Sequence, residues 1–201
     1  MTAKELMKSG KLYDATVSDL IDEQMLCLDK IHEYNMIKPS DMQARTDKLK
    51  EIFAEMGKEC YIETPFHANW GINTHLGDYV YANFNLTLVD DADIYIGSNV
   101  MLGPNVTLAT AGHPILPELR EKGYQFNMPV HIGNNVWIGA GCVVLPGITI
   151  GENSVIGAGS VVTKDIPANC VAFGSPCKVI REISEHDREY YFKDLKIDTK
   201  F

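Results

Sequence analysis

Every sixth residue from Ile132 to Val162 is aliphatic. The chain there reads IGNNVW, IGAGCV, VLPGIT, IGENSV, IGAGSV and VTKDIP, with Ile132, Ile138, Val144, Ile150, Ile156 and Val162 in the leading place. The same register runs upstream as IGSNVM, LGPNVT and LATAGH from Ile96. It appears more loosely as LGDYVY, ANFNLT and LVDDAD from Leu76, with Ile94 and Tyr95 inserted between. An aliphatic at position one, often glycine at two, and a small or branched residue at five is the signature of a parallel β-helix, each hexapeptide giving one short strand and one turn. The leading aliphatics point inward and stack on their counterparts in the coils above and below, while glycine and asparagine accept the positive φ of tight corners. In 201 residues, 45% of them hydrophobic, there is room for one such domain with small appendages.

Charge follows the same division. Residues 129–181 hold only Glu152, Lys164, Asp165, Lys178 and Arg181, so the acid of a chain carrying 18 Lys+Arg against 27 Asp+Glu lies mainly in the ends. A net charge of −9 repels a phosphate backbone and offers no broad basic face to an anionic membrane, which argues against nucleic acid or a membrane as partner. Pro129–Gly151 has no charged residue, but Asn134, Asn135, Pro146 and five glycines make it repeat and not a membrane span. Cys27, Cys60, Cys142, Cys170 and Cys177 are odd in number with no C-x-x-C pair, which suggests neither a disulfide framework nor a zinc knuckle. With two lysines and a glutamate in the first ten residues and no signal-peptide pattern, they read as reduced thiols of a cytoplasmic protein.

The ends are helical by periodicity. Ser40 with Gln43 forms a capping-box pattern, and Leu49, Ile52, Phe53 and Met56 recur at helical spacing up to Gly57, a natural stop. An earlier helix is predicted over Ser18–Asn35 through Leu20, Ile21, Met25, Leu28 and Ile31, and a third from Ser184 to about Lys193. The expected organisation is a helical amino-terminal cap over 1–58, a β-helix over 59–181, and a carboxy-terminal helix and tail over 182–201. The one large break in the repeat is the loop 114–128, where Pro114–Met128 holds two prolines, Glu118, Arg120, Glu121 and Lys122. A polar excursion from a regular solenoid is where function usually sits, and this one begins at His113.

The segments NFNLTLVDD (83–91), NVTLATAGHP (105–114), IGNNVWIGAG (132–141), IGAGSVVTKDIP (156–167) and GSPCKVIREI (174–183) resemble the hexapeptide-repeat sugar O-acetyltransferases of the galactoside and maltose acetyltransferase group. The likeness extends from about Gly10 to Lys196, including YYFKD near the end. It implies a mainly β, left-handed parallel β-helix that assembles as a homotrimer with active sites between subunits. It also implies transfer of an acetyl group from acetyl-CoA to a sugar hydroxyl, the primary one at carbon six, with no metal.

On this resemblance His113 is the general base. An alcohol attacking a thioester needs a proton acceptor that is neutral near pH 7, and imidazole suits that task; on its own His113 could equally turn a corner before Pro114. Asn83 matches a position that contacts the sugar and stabilises the transition state, where a neutral amide can donate to an oxyanion. Asp91 matches a position that accepts from sugar hydroxyls, with Asn69, Tyr81 and Asp14 beside it. Relatives in the galactoside group carry a serine where Asn69 stands and an aspartate at Ala15, whereas LYDA (12–15) looks more like the maltose enzymes, leaving the identity of the sugar open. For the donor, Thr163, Lys164, Lys178 and Arg181 match CoA-binding positions; Lys178 replaces an arginine and loses its fork. Ala140 and Ala158 match positions whose backbone meets the pantetheine arm, and Trp137 flanks the same groove.

Three rivals have weaker support. A β-helix zinc site would want two histidines five residues apart, and there are none, while His113 and His131 are 18 apart but separated by the irregular loop. A covalent acetyl-enzyme would need Cys142, whose place at position five points it inward. A non-catalytic scaffold, or acetylation of an amino sugar, serine or xenobiotic, would leave the full-length likeness and the intact His113, Asn83, Asp91 and Lys164 set unexplained.

Overall fold

The computed structural model describes residues 1–199. The repeat closes into a parallel β-solenoid of triangular section whose three faces are sheets in which every strand pairs with the equivalent strand of the next coil. Face I stacks Glu55–Met56, Thr74–Leu76, Ile94–Ile96, Val130–Ile132 and Thr149–Ile150. Face II stacks Tyr61–Ile62, Tyr81–Ala82, Met101–Leu102, Trp137–Ile138, Val155–Ile156 and Cys170–Gly174, and ends on the antiparallel Cys177–Glu182. Face III stacks His67–Ala68, Thr87–Val89, Thr107–Ala109, Val143–Val144 and Val161–Val162.

The leading aliphatics form the expected ladders. Leu76, Ile96, Ile132 and Ile150 pair on face I, Leu102, Ile138 and Ile156 on face II, and Leu88, Leu108, Val144 and Val162 on face III, and all are buried in one core. Corners divide the work between two residue types. Asn135 and Asn153 adopt φ of 58° and 61° and tie successive coils, Asn135 Nδ2 donating a hydrogen bond to Asn153 Oδ1 at 2.9 Å. The position-two glycines serve close approach instead: a Cβ on Gly139 would lie 2.6 Å from the Ala158 backbone nitrogen.

Helices cover one end. α1 (Ala3–Met7) precedes α2 (Ser18–Met36), as long as its pattern predicts, and α3 (Met42–Ile52). The α3 prediction needs two corrections. Asp41, and not Ser40, is the N-cap, its carboxylate accepting from Ala44 N at 3.2 Å, and Gln43 turns to Asp47 instead. The helix also stops at Ile52, because Met56 joins face I by pairing with Leu76, so its apolar spacing serves a strand. Arg45 of α3 is buried against the first coil, donating to the Ile62 carbonyl and to Tyr34 Oη at 3.0 Å.

The predicted Ser184–Lys193 helix is a single short turn, α5 (His186–Glu189), followed by a hairpin of Tyr190–Phe192 with Leu195–Lys196. Clustered tyrosine and phenylalanine there favour strand over helix. The 114–128 excursion is ordered: α4 (Pro117–Arg120) leads into the strand Tyr124–Asn127, which lies between Ala111–Gly112 and the amino-terminal Tyr13–Asp14 in a three-stranded antiparallel sheet.

Candidate active site

Two clusters of functional side chains flank face III, one along the edge where the chain enters it and one where it leaves. The entry edge is regular. Asn83, Gly103, Gly139 and Gly157 each donate a backbone N–H to the next coil, at 2.9 Å for Asn83 and 2.8 Å for the glycines. Beside this ladder lies a cavity of about 480 Å³ lined by Tyr81, Asn83, Met101, Trp137, Ala140 and Ala158 among others. Trp137, Ala140 and Ala158, expected along the donor groove, thus share it with Asn83 and with Tyr81, which was expected beside the acceptor. Trp137 is 51% exposed and Tyr81 stacks on Tyr61 at 6.3 Å, so both are walls of the groove and not core aromatics. Asn83 Oδ1 accepts from Phe84 N at 2.7 Å, which leaves the Nδ2 protons available to a ligand.

The exit edge is irregular, and the strand Tyr124–Asn127 organises it. His113 stands exposed at the end of Ala111–Gly112, with Nδ1 3.2 Å from the Tyr124 carbonyl oxygen. A carbonyl can only accept, so this contact places the neutral ring's proton on Nδ1 and leaves the Nε2 lone pair outward. One residue along, Gln125 Nε2 reaches Asp91 Oδ1 at 3.2 Å. Asp91 is 8% exposed and receives Asn69 Nδ2 at 2.7 Å on its other oxygen, with Trp70 Nε1 at 3.4 Å on Oδ1. Behind it Asp90 is fully buried, accepting from Trp70 N at 2.8 Å and Thr74 Oγ1 at 3.1 Å; burial raises its carboxyl to about 7. Tyr13 Oη accepts from Asn127 Nδ2 at 3.0 Å, and burial, with the Asp91 charge adding to it, pushes this phenol up to about 12.

Tyr13, Gln125 and Asn127 carry no motif and were missed in the sequence. For Gln125 and Asn127 the only signal is alternation in YQFN, where the polar residues face inward and the aromatics outward, the reverse of an ordinary half-buried strand. Asp14 is exposed, and its Oδ1 is taken by Thr16 N at 2.8 Å and by the Thr16 hydroxyl, which hold its carboxyl below the usual range.

The remaining donor candidates lie on the surface at the carboxy-terminal end of the solenoid, outside the groove lining. Thr163, Lys164 and Lys178 are exposed, and neither lysine forms an ion pair among the described residues. Arg181 is engaged: its two terminal nitrogens grip the Asp187 carboxylate at 2.7 Å each, a fork that drives the Asp187 carboxyl far below its usual range and raises the guanidinium. Cys142 is buried, its thiol pointing to the Gly157 carbonyl at 3.1 Å and raised by burial, so it is poorly suited to act as a nucleophile. No group of three or more His, Cys, Asp or Glu among the described residues is placed to hold a metal ion, and no helix is long and apolar enough to cross a membrane.

Comparison with known proteins accounts for both ends of the molecule. Residues 129–164 match the family described as bacterial transferase hexapeptide (six repeats), and residues 6–57 match the maltose acetyltransferase hexapeptide capping motif. The galactoside O-acetyltransferase of Escherichia coli K12 is 48% identical over 199 residues, 99% of this chain and 98% of that one. A solved structure of galactoside acetyltransferase in complex with coenzyme A superposes with a TM-score of 0.95 at 48% identity, covering 99% of this chain and 100% of the other. A maltose O-acetyltransferase from Clostridium difficile 630 superposes with a TM-score of 0.90 at 46% identity, covering 92% and 98%. The repeat, the helical cap and this full-length likeness together make the chain a member of the hexapeptide-repeat sugar O-acetyltransferases, in the galactoside and maltose acetyltransferase group.

Proposed function

We propose that the protein transfers the acetyl group of acetyl-CoA to the 6-hydroxyl of a galactoside, maltose or glucose-type sugar, in the cytoplasm, by direct attack. His113 Nε2 takes the hydroxyl proton as the sugar oxygen bonds to the thioester carbon. The C–S bond then breaks, and the same imidazolium returns the proton to the CoA thiolate. The Asn83 amide donates to the oxyanion formed on the way. Asp91, held by Asn69, accepts from sugar hydroxyls, with Asp14 and Tyr81 at the margins. The pantetheine arm lies along the groove past Ala140, Ala158 and Trp137, and Thr163, Lys164, Lys178 and Arg181 meet the phosphates of the nucleotide end.

The observation that carries this reading is the Nδ1 contact of His113 with Tyr124, because it turns the basic nitrogen outward on the strand whose next residue, Gln125, donates to the Asp91 carboxylate. The two clusters lie on opposite edges of face III, so the base and the donor groove of one chain face apart. Packing the exit edge of one protomer against the entry edge of the next would bring them together. Such a heterologous contact closes into a ring, and the family resemblance makes it a trimer. Outward residues of face III such as Thr87, Val89, Thr107, Ala109, Val143 and Val161 are small or branched and half-buried, as a packed interface requires.

Thiol release from acetyl-CoA, measured with maltose, glucose, galactosides and glucosamine, tests the reading. Release that depends on a sugar, with the ester mapped to the 6-oxygen by NMR, is the expected result. No release with any of these sugars from a folded, oligomeric protein would overturn it.

A further inference from the structure

We propose that Gln125 is a specificity-determining residue of the acceptor site, its side-chain oxygen accepting a hydrogen bond from one hydroxyl of the bound sugar. The inference rests on the acceptor reading above and adds a contact to it.

The side-chain amides of Asn127 and Gln125 are each fixed in direction. Asn127 Nδ2 donates to the Met7 carbonyl at 2.9 Å, and a carbonyl cannot donate, so Asn127 must turn its oxygen the other way. That oxygen receives Gln125 Nε2 at 2.8 Å. The same nitrogen lies 3.2 Å from Asp91 Oδ1 and 3.0 Å from Tyr13 Oη, so three acceptors surround an NH₂ group that has two protons. Turning the Gln125 amide over would set its oxygen against those of Asp91 and Asn127, and the orientation is therefore locked.

Gln125 Oε1, in contrast, accepts nothing among the described residues, although the residue is only 8% exposed. It is not among the sealed polar atoms that lack a partner, so it keeps contact with solvent. A locked acceptor without a protein donor, beside a carboxylate that also accepts, matches a ligand that brings several O–H donors. That is a sugar, and the pairing of Gln125 with Asp91 reads two of its hydroxyls. The neighbouring elements favour the arrangement: Tyr13 pairs with Gln125 across the antiparallel strands, so the amino-terminal segment and the excursion hold the amide from both sides.

The test couples a protein change to a ligand change. Gln125→Met keeps the side-chain length and removes both polar ends, and Gln125→Leu removes them on a shorter side chain, as a second variant should the first fail to fold. Acceptor KM and kcat are measured for the wild type and both variants with the preferred sugar and its 2-, 3- and 4-deoxy forms. Gln125→Met should raise the acceptor KM by about threefold to tenfold, the effect of one lost hydrogen bond, with the acetyl-CoA KM unchanged. One deoxy sugar that is poor for the wild type should be no poorer than its parent for Gln125→Met and for Gln125→Leu. Equal deoxy penalties in the wild type and whichever variant folds would overturn the proposal and leave Gln125 a structural residue. A wild type that acetylates no sugar would overturn both this inference and the reading beneath it.

Discussion

The two edges of face III are built by opposite means. The entry edge, proposed to hold the donor, is repetition: Asn83, Gly103, Gly139 and Gly157 occupy equivalent corners, and the groove beside them exists because small residues recur every coil. The exit edge, proposed to hold the acceptor and the base, arises where repetition fails. His113 is oriented by a carbonyl 11 residues away, and Gln125 meets Tyr13 across 112 residues. A long donor would be served by a backbone channel in which size matters more than side-chain chemistry. Recognition of hydroxyls needs individually aimed polar groups, which a six-residue period cannot supply.

That contrast can be broken from either side. The largest effect is expected at the irregular edge, where His113→Ala should lower kcat by about 10²-fold or more with little change in the acetyl-CoA KM; retention of most activity would remove the proposed base. At the regular edge, chemistry should matter less than size. Ala158→Leu, which fills the groove, should raise the acetyl-CoA KM by roughly tenfold or more, whereas Ala158→Ser should stay near wild type. Equal tolerance of both would mean that the donor lies elsewhere.

Among the cations, Lys164→Ala should raise the acetyl-CoA KM by about threefold to tenfold and weaken its salt dependence. Arg181→Ala should do less, because Asp187 already engages the guanidinium, and the double variant should exceed either. An unchanged KM in the double variant would contradict the assigned phosphate contacts.

The smallest effect concerns stability at the exit edge. Asp90 has its carboxyl raised by burial from the ordinary 3.8 to about 7, so the folded state binds a proton that the unfolded state releases between those values. Stability tied to this group is complete below about pH 4 and declines as pH rises to about 7. Asp90→Asn should therefore raise Tm at pH 8 relative to the wild type, with the gain vanishing near pH 4. Thermal unfolding at the two pH values checks it, and a gain that does not depend on pH would mean that Asp90 is not the titrating group.

The legible part of the molecule was the periodic part. Positions one and five of the hexapeptide face inward as their spacing requires, and Ile138, Cys142, Ile150 and Ile156 are all buried. Family resemblance placed Tyr81, Asn83, Trp137, Ala140 and Ala158, and they line one groove because equal places in successive coils fall on one edge. The errors fell where a pattern had two meanings. Met56 has helical spacing from Ile52 but ends in a strand, since pairing with Leu76 outweighs one further helical turn. The Ser184–Lys193 segment reads as a helix by periodicity, yet Tyr190–Phe192 turns back on Leu195–Lys196.

The sequence by itself determined the coil, its inward ladders and the edge along which small residues recur, because a repeat writes backbone direction and burial into local spacing. Only the tertiary structure decided which way the His113 ring turns, that Arg181 is already paired with Asp187, and that Tyr13, Gln125 and Asn127 stand around Asp91. Those polar contacts bind segments far apart in the chain, and a hydrogen bond between distant residues leaves no period to read.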